Sequence, residues 1–442
     1  MPAEQADPER GGENGLAGFW SYFSPGKQIK KALRPIRSAV KKLSVEQGRL
    51  NRQVARLTAA VGEIQGKLAT APVTEPAPVS ADEALDRLTA RELQLAVLQH
   101  LPFLPAEILV DRDAIELHAH AAAPHGLTAK MAFFVNGHRL TDLTYPADDP
   151  NLQSRFPGVP GMGLALHARM APLPEDLAAA RFLRFDACAL GNPAAANWRQ
   201  AIHFMNPAHE RYPMPPEGNI KRVIGDTSAV RFAMGGAMIF KNIEALIGEL
   251  GHSWSDFPQI LDWGCGAGRV TRYLISETPS AVCGADIDPD NVAWCRSNLT
   301  DGEFVTVPLR PPTAFADGRF DMVIGLSVLT HLSESDQWLW LDELRRITRP
   351  GALVLLSVSG PTQFAYVGFP LPLYRRLQAQ GFLDLARDPA LDEVISEQEY
   401  YRAAFHSRAY IASRWSDYFE VIAILDAIAA VQDFVVLQRR AD

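Results

Sequence analysis

The segment 259–274, QILDWGCGAGRVTRYL, limits the folds open to this chain more than any other. An apolar strand end (Ile260, Leu261) carries Asp262 two residues ahead of Gly264-Cys265-Gly266-Ala267-Gly268, and a helical run follows. Glycines at a strand-to-helix turn allow left-handed backbone angles and close approach of a ligand or a second segment. The turn therefore predicts an α/β sheet that binds something at its tip. Many nucleotide-binding sheets share such glycines, so the neighbouring residues decide the chemistry. An aspartate ahead of the glycines would repel a pyrophosphate seated over the turn. It would attract the ammonium of an amino-acid group.

Three downstream blocks follow in order. VCGADIDPDNVAWC reads as a second strand, 282–285, ending in Asp286, whose carboxylate suits the two hydroxyls of a ribose. Ile287 beside it offers an apolar face to a base. RFDMVIGLSVLTHL holds a strand (322–326) and a polar bend, and RRITRPGALVLLSVSG holds a helix end, a Pro-Gly turn and a buried strand (353–358). Taken singly, Asp262 reads equally as a helix cap and Asp286 as a turn residue; their joint occurrence with the glycines carries the argument.

These blocks resemble the class I S-adenosylmethionine (SAM)-dependent methyltransferases, over about residues 235–442. The resemblance implies a Rossmann-like domain with a seven-stranded sheet whose last strands form a reversed hairpin, here FEVIAILDA and QDFVVLQRR. It implies that Asp262, Gly264, Cys265, Gly266 and Gly268 line the methionine end of SAM. Asp286 would hold the ribose, Ile287 and Leu309 or Arg310 would flank the adenine, and Leu326 and Ser327 would floor the pocket. PLRPP lacks the acidic or amide residue usual after the third strand. The set GCGAGR, DIDPDNVAWC, SVLTHL and QDFVVL is similar to methyltransferases associated with bacterial surface polysaccharides, which implies O-methylation of a glycan or other hydroxylated acceptor. The rival reading is a SAM-binding or inert scaffold acting through its other domains. A nicotinamide-dependent oxidoreductase is a third; Asp262 and the hairpin argue against it.

A hydroxyl acceptor profits from a base. His331 in SVLTHL sits where the chain reaches the mouth of the sheet, and His406 in AAFHSRAYI is the second candidate. A positioned histidine adds about 10²–10⁴-fold; the competing reading of His331 is a helix start bonded to its own loop. Aromatic residues are dense between 363 and 415, an insert that in the family commonly covers the acceptor. No metal site is expected: the four cysteines form no CxxC pair, and His118, His120 and His138 read as surface or satisfied histidines. Sparse cysteines, no apolar run of about 18–20 residues and no secretory leader point to the cytoplasm.

The N-terminal half is organised differently. Residues 27–68 carry eleven basic and two acidic side chains, which leaves the rest of a chain of net charge −8 strongly acidic. A nucleic-acid-binding body is not expected from that balance. Apolar residues recur in steps of four and three from Ile29 to Leu68, with Gln47 the polar exception. This heptad predicts a basic coiled-coil helix over 27–69 and self-association, against the competing reading of a helix packed on its own body. The aromatic patch Phe19, Trp20, Tyr22 and Phe23 in the tail (1–26), followed by lysines and arginines, suits an anionic membrane surface; the competing reading is an unstructured tail feeding a solvated coiled-coil face. A Pro/Ala linker (70–82) leads to an accessory antiparallel β domain, sandwich-like, over 83–190. An irregular connector (191–234) precedes the methyltransferase-like part (235–442). The fold class is thus multidomain.

Overall fold

The computed structural model describes Asp86, Thr89 and residues 103–121, 131–148, 164–189, 201–367 and 369–441. All belong to the unit Ser80–Asp442. The expected tail, coiled-coil helix and linker lie outside the described residues.

Among the described residues eight strands come first: β1 (Phe103–Val110), β2 (Ile115–Ala121), β3 (Met131–Val135), β4 (His138–Arg139), β5 (Asp142–Asp148), β6 (Leu164–Met170), β7 (Phe182–Ala189) and β8 (Ile202–Met205). A short helix, α1 (Glu175–Ala179), precedes β7. The strands form two four-stranded antiparallel sheets, ordered β1-β2-β6-β5 and β4-β3-β7-β8. In β2 the alternation is direct: Ile115, Leu117 and Ala119 are buried and His118 is exposed. Leu117 and Leu166 from one sheet share a core with Phe133, Phe185 and Phe204 from the other. Asn136-Gly137 makes the β3–β4 turn, with φ of 45° and 85°, and sets Val135 opposite His138. Two successive positive φ angles define the hairpin turn that Asn-Gly favours. His118 lies edge-on to His167, with ring centroids 4.6 Å apart, and His138 bonds Asp176 at 2.8 Å. Among the described residues no His, Cys, Asp or Glu cluster could hold a metal ion.

The described part of the stretch expected to be an irregular connector, from residue 201 on, is largely regular. It contributes β8, which pairs with β7 and completes the second sheet, then α2 (Glu217–Ile224) and the start of α3 (Ala229–Glu249). IHFM is too short for its alternation to register among prolines. Ser228 caps α3, its hydroxyl accepting from the Arg231 N–H. Ala233 of α3 packs in the core of the β body, whereas Ala237, Phe240 and Ile243 pack on the larger sheet. The expected boundary at 234/235 therefore falls inside a helix that belongs to both cores.

The larger sheet is built from β9 (Gln259–Trp263), β10 (Ala281–Asp286), β11 (Glu303–Thr306), β12 (Phe320–Gly325) and β13 (Thr348–Val358). Helices α4 (Thr271–Glu277), α5 (Pro289–Asn298) and α6 (Glu334–Ile347) connect them. An insert follows: α7 (Pro361–Val367), α8 (Leu371–Gln380), β14 (Phe382–Arg387), β15 (Arg402–His406) and α9 (Arg408–Arg414). The hairpin β16 (Glu420–Ala429) and β17 (Gln432–Gln438) closes the sheet, whose order is β11-β10-β9-β12-β13-β17-β16. The first five strands are parallel and β17 runs antiparallel to β13, the seven-stranded arrangement the resemblance implies. Ile260 faces α3, while Leu261 and Trp263 face α6. Strand order reverses between β9 and β12, so a crevice opens beyond their carboxyl ends, where such sheets bind ligands. Among the described residues no helix is long and apolar enough to cross a membrane.

Candidate functional site

The loop after β9 is stitched to its neighbour. The N–H groups of Gly264 and Cys265 both donate to the Ala285 carbonyl, at 2.7 and 3.1 Å. Gly264 and Gly266 have φ of 75° and 53°, values that side chains rarely adopt. Each is also pressed from outside: a Cβ would stand 2.3 Å from a Val328 methyl at Gly264 and 2.7 Å from a Val223 methyl at Gly266.

A cleft opens above this loop, lined by Asp262, Gly264, Cys265, Gly266, Arg269, Asp286, Ile287, Leu326 and Ser327 among others. The structure thus brings together most of the residues singled out from sequence. Asp262 is buried at the tip of β9, and its carboxylate accepts from the Thr271 hydroxyl. Burial, with Asp286 nearby, pushes it up to about 6 despite Thr271 and Arg269. Asp286 closes β10. Its Oδ2 accepts from the Gly266 N–H (2.7 Å) and its Oδ1 from the Asp288 N–H (2.8 Å). Burial raises it as well to about 6. Two backbone donors hold this carboxylate in plane and leave each oxygen a second lone pair for a ligand.

Several expected residues stand elsewhere. Gly268 does not line the cleft: a Cβ there would meet Leu299 at 2.4 Å and the Cys295 sulfur at 3.4 Å, so this glycine serves packing against α5. Leu309 and Arg310 do not line it either. The Leu309 carbonyl accepts from Trp340 Nε1 (3.2 Å) and from the Tyr400 hydroxyl, and Arg310 is held by Asp336 and Glu397. Val307 takes their place at the wall. His406 is buried in β15, with Nε2 2.9 Å from Gln337 Oε1, and burial drives it down to about 3. A ring sealed in the core cannot take a proton from an acceptor. His331 ends a 3-10 turn, Leu329–His331, and lies behind Tyr401 rather than on the cleft surface. Ser327 sits at the mouth with φ of 56°; its hydroxyl donates to Gln432 Oε1 at 2.9 Å.

Sequence reasoning missed Arg222 and Val223 of α2, Arg269, Trp340 and Leu391, and singled out Tyr400 and Tyr401 only among the aromatic residues of the insert; all of these line the cleft. Arg222 pairs with Asp288 at 2.7 Å. Arg269 makes no ion pair among the described residues; the charge acting on it is that of Asp262, while burial lowers its proton affinity. Its position directly after the last glycine was the one available signal.

The lining fits S-adenosylmethionine on its own chemistry. Asp262 and Arg269 side by side complement an ammonium and a carboxylate on one carbon. Asp286 presents acceptors for vicinal hydroxyls, and Ile287 and Val307 supply apolar walls for a base.

The profile of a methyltransferase domain matches residues 260–351. The chain is 28% identical over 102 residues to a probable chloroplastic tocopherol O-methyltransferase of Oryza sativa subsp. japonica, a match that covers 22% of this chain and 28% of the relative. It is 24% identical over 121 residues to a mitochondrial ubiquinone biosynthesis O-methyltransferase of Dictyostelium discoideum, covering 24% of this chain and 37% of the relative. The chain thus spans only a minor part of either relative. The solved magnesium protoporphyrin IX methyltransferase of Synechocystis PCC 6803 aligns with a TM-score of 0.34 at 18% identity, over 50% of this chain and 93% of that one. Residues 260–351 thus match the model of a methyltransferase domain.

Proposed function

We propose that the chain is an O-methyltransferase acting on a hydroxylated acceptor, with a glycan as the acceptor class. The observation that carries the reading is the pairing, in one cleft, of buried Asp262 beside Arg269 with backbone-pinned Asp286. The names of the two curated relatives support oxygen as the methylated atom; the glycan rests on the sequence resemblance.

When bound, S-adenosylmethionine supplies a methyl group already activated on a sulfonium. The protein's own task is to orient and to exclude water. Asp262 and Arg269 would hold the amino-acid head and Asp286 the ribose. Trp340, Leu391, Tyr400 and Tyr401 wall the cleft with apolar surface. Holding the acceptor oxygen in line at about 3–3.5 Å supplies most of the acceleration. Neither histidine named from sequence lines the cleft, so alignment rather than a histidine base is the main catalytic device proposed.

Isothermal titration of the full chain with S-adenosylhomocysteine tests the donor site. Asp286→Ala should weaken binding by about 10–100-fold, the worth of charge-assisted hydrogen bonds. Turnover on a panel of glycans and small hydroxylated compounds tests the acceptor; binding without turnover on any of them would favour the scaffold reading. We further propose that residues 27–69 join two copies of the chain and that the basic arm meets an anionic membrane surface at the cytoplasmic face. Sedimentation with and without residues 1–69, and liposome flotation with and without residues 1–45, test these two points.

A further inference from the structure

We propose that Tyr401 is the contact residue that walls the nucleoside end of the donor cleft, and that His331 acts as its positioning residue and not as a base. The inference rests on the donor reading above and adds to it a wall drawn from the insert. Tyr401 precedes β15 and lines the cleft with Asp286 and Ile287. Its neighbour Tyr400 is tied down, with its hydroxyl on the Leu309 carbonyl and its ring under the Arg310 guanidinium. Tyr401 is different. Among the described residues its hydroxyl has no hydrogen-bond partner, and besides burial the charges of Asp388 and Asp286 act on it. Tyr401 therefore enters the lining as a ring, with no polar tie of its own among the described residues.

The ring is supported from behind. His331 stacks on Tyr401 with centroids 4.0 Å apart and planes 8° from parallel. A carbonyl only accepts, so the 2.9 Å contact between His331 Nδ1 and the Arg402 carbonyl places the proton on Nδ1. Asp388 lies 3.6 Å from the same nitrogen, and burial favours the neutral ring. His331 thus has one face and one nitrogen committed to holding the 401–402 backbone and the Tyr401 ring. This arrangement supplies, from the insert, the wall that PLRPP does not provide after β11. An adenosine moiety resting on such a face gains stacking whatever polar groups are absent.

Titration of the full-length protein with S-adenosylhomocysteine, beside steady-state kinetics, tests the assignment. Tyr401→Ala should weaken binding by about tenfold or more, the usual worth of an aromatic platform under a base, and Tyr401→Phe should stay near wild type. His331→Ala should weaken it by about two- to tenfold through loss of the stack, raising KM for the donor with kcat held. His331→Phe should restore both constants. Circular dichroism checks folding, and Tyr401→Leu, which keeps the apolar bulk, is read in the same way if the alanine variant fails to fold. A folded Tyr401→Ala or Tyr401→Leu protein that binds with wild-type affinity overturns the wall. A His331→Phe protein that binds normally but turns over about 10²-fold slower returns the base role to His331. If the wild-type chain itself does not bind S-adenosylhomocysteine, the donor reading falls first, and that outcome is distinct from either of these.

Discussion

Gly264→Ala is the sharpest test of how the loop is built. The substitution meets two independent costs. Gly264 sits at φ 75°, where an L side chain is disfavoured by about 1–2 kcal/mol. Its new Cβ would also stand 2.3 Å from Val328 Cγ2, against a comfortable carbon–carbon separation of about 3.5–4.0 Å. Val328 is β-branched with restricted χ1 freedom, so its methyl cannot swing clear cheaply, and overpacking of this kind costs about 1–3 kcal/mol. Together the two give about 2–5 kcal/mol, a large part of a domain's total of about 5–15. Val328→Ala removes the offending methyl but leaves the backbone angle. Combined with Gly264→Ala it should recover only the steric share, a coupling of about 1–3 kcal/mol. Urea unfolding of wild type, both single variants and the double variant measures this, provided near- and far-ultraviolet circular dichroism give one transition. Stability of Gly264→Ala within about 0.5 kcal/mol of wild type, or a double variant showing no coupling, would refute the reasoning.

Other consequences are as direct. Asp433 is buried in β17 and raised to about 7 by burial and by Asp426, with Arg408 3.8 Å away. Its folded pKa exceeds the unfolded value of 3.8, so its favourable contribution is whole below 3.8 and lost as pH rises through about 7. Asp433→Asn should therefore raise the melting temperature near pH 8 and lose that advantage in acid, with a ceiling of about 4 kcal/mol. His406 behaves in the opposite sense: unfolded it takes its proton near 6.5, folded only near 3. Stability is full above 6.5 and drains as pH falls toward 3, and His406→Gln should flatten that acid limb in a pH series of urea melts. Gly236→Ala would set a Cβ 2.0 Å from the Arg269 carbonyl; α3 must then lift from the loop, and donor affinity and melting temperature should fall together.

What the sequence made legible was what is local in it. Asp262, Gly264 and Gly266 follow one another on one strand and its turn, and Asp286 closes the next strand, so spacing alone placed them. The sheet and its hairpin were readable because buried strands leave apolar runs at recurring intervals. Arg222 and Val223 were not, because they reach the loop from a Pro-rich stretch with no pattern pointing there. Tyr400 and Tyr401 showed in the sequence as part of an aromatic-rich insert, but which of its rings line the cleft depends on how β14 and β15 fold back. His331 was read from sequence as lying where the chain reaches the mouth of the sheet, and the structure sets it behind Tyr401. Its orientation was hidden, because the Arg402 carbonyl that holds it lies 71 residues away in the chain.

The charges in the cleft separate donor from product. Arg222 cancels Asp288, to which it is bonded, and Arg269 stands against Asp262. Above about pH 6, where Asp262 is ionised and offsets Arg269, the lining's excess negative charge is therefore that of Asp286. A zwitterionic amino-acid head is matched by Asp262 and Arg269 equally before and after transfer. Asp286 alone distinguishes a ligand bearing a sulfonium from one bearing a neutral thioether. At an effective dielectric of about 20 and a separation of about 7 Å, that attraction is worth roughly 2 kcal/mol. Since burial raises Asp286 to about 6, the discrimination should be present above that pH and fade below it. The affinity of the sulfonium ligand relative to S-adenosylhomocysteine, measured by titration calorimetry, should fall about threefold or more between about pH 7.5 and pH 5. A ratio that stays constant across that range would mean the excess charge lies on some other group, or that solvent screens Asp286 from the reacting sulfur.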